Sequence, residues 1–345
     1  MYIKENWNEY EKRKNEAANH TEDMERRFKG ETEFSVEIAT VHDMIELPNG
    51  RTADGELNIC VCDIDSVSAI FEHQAKKTAV LNFASFKKPG GRFLDGAMSQ
   101  EECLCHASNL YNVLSRFEDS YYEWNKKHLN QTLYLNRALY TEDIVFVSKR
   151  GETTTCDVIN CAAPNKPAAQ KYYNVSDKEN TEALSSRIQF ILSVAQKHRV
   201  KTLILGAYGC GVFGQDPKEV ASLFKQHLQS IPWGFDKVIF AIPNGKNRNY
   251  SEFAKIFQED ESENAKLEEK SETEFYVVVA DSCGMRKYVS RSFPKTFPYT
   301  VKLSKALRFL RKEDAEEFIE NFNSSERYSI QNPDIKTVVR TLKIM

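Results

Sequence analysis

The 345-residue sequence predicts an α/β fold: a mixed or parallel β-sheet flanked by helices, followed by a small C-terminal α+β module. Three observations lead there. Short apolar runs of strand length alternate with amphipathic stretches of helical spacing between residues 59 and 257. Two of those runs end in glycine loops that lead directly into helices. A charged segment without aromatic residues, 258–273, then separates this region from a further strand-rich stretch.

The elements follow in order. Residues 1–30 are highly charged, with Trp7, Tyr10 and Met24 thinly spaced, and read as a helical extension packed on the main domain. Glu33–Ile38 and Ile59–Ile64 have strand-like patterns, and Ser66–Gln74 reads as a short helix. Thr78–Ala84 is almost continuously apolar, as a strand covered on both faces requires. Gln100–Phe117 has helical spacing, with Leu104, Ala107, Leu110, Tyr111 and Leu114 on one face. Asp157–Ala162 is a strand, Thr181–His198 a helix and Thr202–Gly206 a buried strand. A helix over Pro217–Gln229 opens with proline in its first turn. Strand Lys237–Ile242 and helix Asn249–Phe257 complete the alternation, which implies parallel neighbours and right-handed crossovers. Beyond the linker, Phe275–Ala280, Tyr288–Arg291 and Ile335–Leu342 read as strands and Leu303–Asn323 as helix. The division is therefore 1–257, 258–273 and 274–345. The last part has no catalytic constellation, and its expected role is to engage a protein partner.

With 47 Lys and Arg against 50 Asp and Glu, the net charge is -3. No general cationic field exists to draw in nucleic acid, so a polyanionic ligand must be held by local devices such as backbone N–H groups. No apolar run approaches the roughly 20 residues of a membrane helix, and the first twenty residues contain no signal-peptide core. The expected location is the cytoplasm, where the eight dispersed cysteines would be reduced thiols. The pairs Cys60/Cys62 and Cys103/Cys105 read as small buried hydrophobes, and neither a metal nor a cofactor is expected.

Two loops carry the chemistry. After Ala84 the chain reads SFKKPGGRFLDGAMSQEECL. Gly90 and Gly91 permit positive φ and a close approach of N–H groups to an anion. Ligands of α/β sheets bind beyond the carboxyl ends of strands, where this loop lies. Gln100, Glu101 and Glu102 fall in the first turn of a helix, facing the positive end of its dipole. Ser99 with Glu102 is equally an S-x-x-E capping box, the commoner meaning of that spacing alone. The second loop, LGAYGCGVFGQD, holds Gly206, Gly209, Gly211 and Gly214. Its N–H groups can cradle a diphosphate without lysines; the alternative is a turn that only closes a strand–helix connection. Phe213 reads as an ordinary core residue. Asp65 reads as the N-cap of the helix from Ser66.

Together these segments resemble the microbial-type poly(ADP-ribose) glycohydrolase (PARG) family, in which a glycine triplet is followed after a short spacer by Gln-Glu-Glu. Here the sequence is Gly90-Gly91-Arg92, seven residues from Phe93 to Ser99, then Gln100-Glu101-Glu102. The NFAS run, the proline before the glycines, the Gly-Ala of the spacer, the G-x-G-x-F-G of Gly209–Gly214 and the strands VINCAAPN and VIFAIPN add to the likeness. It covers roughly Asn6 to Phe257 and departs at Arg92, where the family has a third glycine.

The resemblance implies a macrodomain-like sheet and hydrolysis of ribose–ribose O-glycosidic bonds in poly(ADP-ribose), releasing ADP-ribose. It implies Glu102 as general acid and base, and Glu101 as the group that holds the ribose hydroxyls. Substrate contacts fall on Ser85, Gly90, Gly91, Arg92 and Gln100, and on the cradle of Gly206, Tyr208, Gly209, Cys210, Gly211, Val212 and Phe213. Phe213 would lie against the terminal ribose, and Asp65 would accept from the adenine amino group. The implied partners are poly(ADP-ribose) or ADP-ribosylated macromolecules, without membrane or sequence-specific nucleic-acid binding. Two other functions fit the same residues: a macrodomain that binds ADP-ribose without cleaving it, and a hydrolase that removes single ADP-ribose groups from protein or nucleic acid.

Overall fold

The computed structural model describes residues 7–47, 57–73, 75, 77–245 and 247–257, and strands at 274–282, 285–289, 299–300, 308–309 and 336–343. The chain divides into two compact units, Met1–Phe257 and Gln258–Met345.

The first unit opens with helices α1 (Trp7–Arg27) and α2 (Lys29–Ile38) and the short strand β1 (Thr40–His42). Next come β2 (Asn58–Cys62), α3 (Ser66–Glu72), β3 (Thr78–Phe83), α4 (Gln100–His106), α5 (Leu110–Ser115) and α6 (Glu123–Lys127). The rest comprises β4 (Ala138–Val147), β5 (Thr153–Cys161), α7 (Lys166–Tyr173), α8 (Asp177–Lys197), β6 (Thr202–Leu205), α9 (Pro217–Ser230) and β7 (Lys237–Ala241). A last helix, α10, spans 249–257.

These strands form a seven-stranded sheet in the order β1-β4-β5-β3-β6-β7-β2. From β5 to β2 all neighbours are parallel, and β4 and β1 extend the sheet antiparallel. Central β3 shows the two-residue period of a strand covered on both sides. Ala79 and Leu81 pack into the core beneath α8 and α9, and Val80 packs on the opposite side against α3, α4 and α5. Leu81 and Val80, fully buried, each contribute roughly 1.5–3 kcal/mol. Because β3 and β6 are adjacent and parallel, the glycine loops that follow them open from neighbouring strand tips.

The structure differs from the sequence reading in several places. Residues 33–38 are helical, within α2, and not a strand. Their alternation is real, but the helix turns small polar residues inward: Thr32 and Ser35 are buried while Phe34 is 51% exposed. The expected helix over 100–117 is two helices, broken where Ser108 pairs with Phe146 of β4 and Asn109 Oδ1 accepts the Val145 N–H at 2.9 Å. Strands β1 and β4 were not foreseen. Helix α8 starts four residues earlier than expected because Ser176 and Glu179 form a reciprocal cap, at 2.8 and 3.2 Å.

In the second unit β8 (Glu274–Ser282) pairs antiparallel with β9 (Met285–Val289), β11 (Arg308–Phe309) and β12 (Lys336–Lys343). β10 (Tyr299–Thr300) pairs with β9. The expected helix over 303–323 meets a strand at 308–309; its other residues, and the linker 258–273, lie outside the described residues. Among the described residues no helix is long and apolar enough to cross a membrane.

Candidate active site

The first loop is built from two consecutive tight turns. Past β3, the Ala84 N–H still donates to the Cys161 carbonyl at 3.3 Å. The Ser85 hydroxyl then accepts the N–H groups of Lys87 and Lys88 at 3.4 and 3.2 Å. Gly91 N–H donates to Lys88 O at 3.2 Å, and Phe93 N–H to Gly90 O at 3.0 Å. Gly90 and Gly91 sit at φ +60° and +61°, in the left-handed region. A Cβ on Gly90 would lie 2.8 Å from the Tyr111 ring. One on Gly91 would lie 2.7 Å from Glu101 Oε2 and 2.8 Å from Glu102 Oε1, so the two carboxyl groups flank this one backbone position. Arg92, in place of the third glycine, has φ −116°, which any residue adopts. Its side chain is 63% exposed and stands 3.4 Å from Asp95 Oδ2.

The spacer is braced by α1. Phe93 is buried, and Arg13 Nε donates to Gly96 O at 2.8 Å. Gly96, at φ +80°, is so close to the helix that a Cβ would lie 2.9 Å from Tyr10 O.

Both glutamates are buried, at 4% and 5% exposure. Glu101 Oε2 accepts the Ser85 N–H at 2.8 Å, and Oε1 accepts from Asn82 Nδ2 at 3.3 Å. Asn82 also donates to Asn160 Oδ1 at 2.9 Å, so a buried amide pair across β3 and β5 backs this carboxyl. Glu102 Oε1 accepts the Arg92 N–H at 2.9 Å, and Oε2 accepts the Ser99 N–H at 3.0 Å. The second bond is the return arm of a capping box, so Glu102 caps α4 and floors the glycine turn at once. Burial pushes the Glu101 carboxyl up to about 8; the Ser85 N–H and Asn82 amide oppose this, and the Glu102 carboxylate reinforces it. Gln100 has both ends of its amide engaged: Oε1 accepts the Phe83 N–H at 2.8 Å, and Nε2 donates to Leu81 O at 2.9 Å and Ser66 Oγ at 3.2 Å. It stitches α4 to the tip of β3.

The second loop leaves β6 beside the first. Gly206 lies under Phe83, where a Cβ would meet the ring at 2.9 Å. The loop closes on itself through Cys210 N–H to Ala207 O, Gly214 N–H to Gly211 O and Gln215 N–H to Gly209 O, at 3.0–3.1 Å. The N–H groups of Gly211, Val212 and Phe213 have no backbone acceptor among the described residues, and Val212 is 83% exposed. Tyr208 turns its side chain into the core, with its hydroxyl donating to Cys161 O at 3.1 Å; only its backbone faces the loop. Phe213 is half-buried and edge-on to Tyr134, 6.2 Å between centroids, and Tyr134 stacks on Phe86 at 4.3 Å. Phe86 belongs to the first loop, so this aromatic cluster joins the two.

Asp65 caps α3: Oδ1 accepts the Ser68 N–H and Oδ2 the Ser68 hydroxyl, both at 2.9 Å. It is exposed just beyond the tip of parallel strand β2, on the same sheet edge as both loops. Asn82, Asn160, Phe86 and Tyr134 escaped the sequence reading. The signal for the first two was a polar residue inside an otherwise apolar strand. Among the described residues no group of three or more His, Cys, Asp or Glu is placed to hold a metal, and the seven described cysteines are unpaired.

Residues 6–149, which contain the first loop and both glutamates, match the family described as "Microbial-type PARG, catalytic domain". The PARG likeness extends to solved structures. The fold is similar to that of PARG from Thermomonospora curvata, at 26% identity and TM-score 0.65, covering 72% of this chain and 100% of that one. The same enzyme bound to the inhibitor ADP-HPD gives 26% identity and TM-score 0.62, with 71% and 99% coverage. PARG from Deinococcus radiodurans in complex with ADP-ribose gives 26% identity and TM-score 0.58, with 66% and 97% coverage. No curated protein matches by sequence.

Proposed function

We propose that the first unit hydrolyses the ribose–ribose O-glycosidic bonds of poly(ADP-ribose) and releases ADP-ribose. The observation that carries this reading is the pair of buried carboxyl groups flanking Gly91, beside a neighbouring loop with N–H groups free to donate. The PARG-family match, and relatives solved with ADP-ribose or ADP-HPD, support the same ligand.

In this mechanism Gly211, Val212 and Phe213 donate N–H bonds to the diphosphate, and the Phe213 ring lies against the terminal ribose. The burial that lifts Glu101 to about 8 keeps a proton on that carboxyl at neutral pH. Glu101 orients the ribose hydroxyls. Glu102 delivers a proton to the leaving 2′-oxygen as the C1″–O bond breaks and its electron pair departs with that oxygen. The adjacent diphosphate stabilises the oxocarbenium-like centre. The Glu102 carboxylate then takes a proton from water as the water oxygen bonds to C1″. One water is consumed per ADP-ribose released. Asp65 is the proposed acceptor for the adenine amino group, in addition to its cap.

The unpaired cysteines favour a cytoplasmic enzyme. The second unit is proposed as an accessory module for a partner protein. The test is incubation with poly(ADP-ribose) and measurement of free ADP-ribose. Glu102→Gln is expected to lower turnover by about 10²–10⁴-fold and to retain ADP-ribose binding. Intact polymer with tight ADP-ribose binding by the unaltered protein would establish a binding module instead.

A further inference from the structure

The loop bonded to both catalytic carboxyls also carries an unneutralised cluster of cations. Ser85 N–H anchors it to Glu101 at one end, and Arg92 N–H anchors it to Glu102 at the other. Between and at these anchors stand Lys87, Lys88 and Arg92, all exposed. Neither lysine has an ion-pair partner among the described residues, and Arg92 has only the 3.4 Å contact with half-exposed Asp95. Elsewhere the surface cations are commonly paired within one helical turn, as in Lys12–Glu16, Arg26–Asp23 and Lys126–Glu123. The backbone that bears the three is fixed by the two consecutive turns and by the Ser85 hydroxyl. The three cations therefore stand on a segment bonded at one end to Glu101 and at the other to Glu102, in a chain of net charge -3.

We propose that Lys87, Lys88 and Arg92 form a phosphate subsite on the leaving side of the reaction, which selects a substrate whose leaving group is itself an ADP-ribose unit. This deepens the PARG reading and rests on it. The diphosphate of the unit being released is assigned to the second loop. The first loop is bonded through the Arg92 N–H to Glu102 of α4, which meets the leaving 2′-oxygen, so cations on that loop lie where the leaving chain must pass. In poly(ADP-ribose) the ribose that bears this oxygen carries its own 5′-diphosphate a few bonds away. An ADP-ribose attached to a protein side chain presents no phosphate there. The guanidinium fork of Arg92 suits a phosphate, and its ordinary φ means that the substitution for glycine adds this group without straining the turn.

The test compares Glu102→Gln with the same protein also carrying Lys87→Gln, Lys88→Gln and Arg92→Gln. Binding of size-defined poly(ADP-ribose) and of free ADP-ribose is measured by titration. The three added changes are expected to weaken polymer binding about tenfold at low ionic strength. They should leave ADP-ribose binding within about twofold, and the difference should vanish in about 0.5 M NaCl. In otherwise unaltered enzyme the loss should fall on KM for polymer. Unchanged polymer affinity would overturn the proposal, as would an equal loss of ADP-ribose affinity, which would assign the cations to the released unit. Turnover is a separate readout: absence of ADP-ribose release by the unaltered chain would refute the hydrolase, and the binding comparison would still decide the subsite.

Discussion

Replacing Gly91 by alanine tests the arrangement at its narrowest point. At φ +61° a non-glycine residue costs roughly 1–2 kcal/mol. The new methyl would sit 2.7 Å from Glu101 Oε2 and 2.8 Å from Glu102 Oε1, distances that force a shift. Neither carboxyl can retreat freely. Glu101 is held by Ser85 N–H at 2.8 Å, and Glu102 by Arg92 and Ser99 N–H at 2.9 and 3.0 Å. Breaking one such bond to a buried carboxyl costs roughly 1–3 kcal/mol. The sum is about 2–5 kcal/mol of stability, and displacement of the carboxyls should lower turnover about 10²-fold beyond any loss of folded protein. Gly30→Ala, at a helical site with nothing within 4 Å, is the reference and should leave stability equal or raised by up to about 1 kcal/mol. Urea denaturation and ADP-ribose release from polymer measure the two effects. If Gly91→Ala matched the Gly30→Ala protein in both, the carboxyls would not flank Gly91 as described.

Further outcomes follow from other contacts. Glu101 ionises near 4.5 in the unfolded chain and near 8 when folded, so between these values only the folded state keeps the proton. Its contribution to stability therefore declines as pH rises from about 4.5 to 8, by at most roughly 5 kcal/mol, and is flat above. Urea denaturation across this range should show Glu101→Gln gaining on the unaltered protein as pH rises; a constant difference would contradict the burial effect. Arg187 is buried at 1% exposure and donates to Asn136 Oδ1 at 2.8 Å and to the carbonyls of Ala162 and Leu133. Arg187→Met strands those acceptors and should lose roughly 3 kcal/mol by denaturant titration. Phe213→Ala should weaken ADP-ribose binding about tenfold by calorimetry while the fold stays intact; unaltered affinity would place the ring outside the ligand site.

The parts of the fold that were legible in the sequence are those with one dominant local signal. Thr78–Phe83 and Thr202–Leu205 are uniformly apolar because both faces are covered, and their glycine loops follow directly. β4 was hidden because its run is interrupted by Glu142 and by Asp143 at φ +55°, where the register with β5 shifts. That break lies at an antiparallel edge and reflects pairing with distant residues. The glutamates stood out by spacing, but their environment did not. The Asn82–Asn160 pair that supports Glu101 brings together residues on two strands, and no single segment carries that information. Ser99–Glu102 looked like a choice between cap and catalyst; the geometry shows one side chain in a cap bond and at the glycine turn together.

The clasp between α1 and Gly96 makes the charged first helix a buttress of the segment that joins the glycines to the glutamates. Arg13 and the backbone near Tyr10 hold the strap that joins the glycines to the glutamates, across 83 positions of sequence. Trimming the gene from its 5′ side to a minimal sheet, or substituting a fusion partner for those first turns, would slacken that strap, although the helix lends no atom to the reaction proposed for the glutamates.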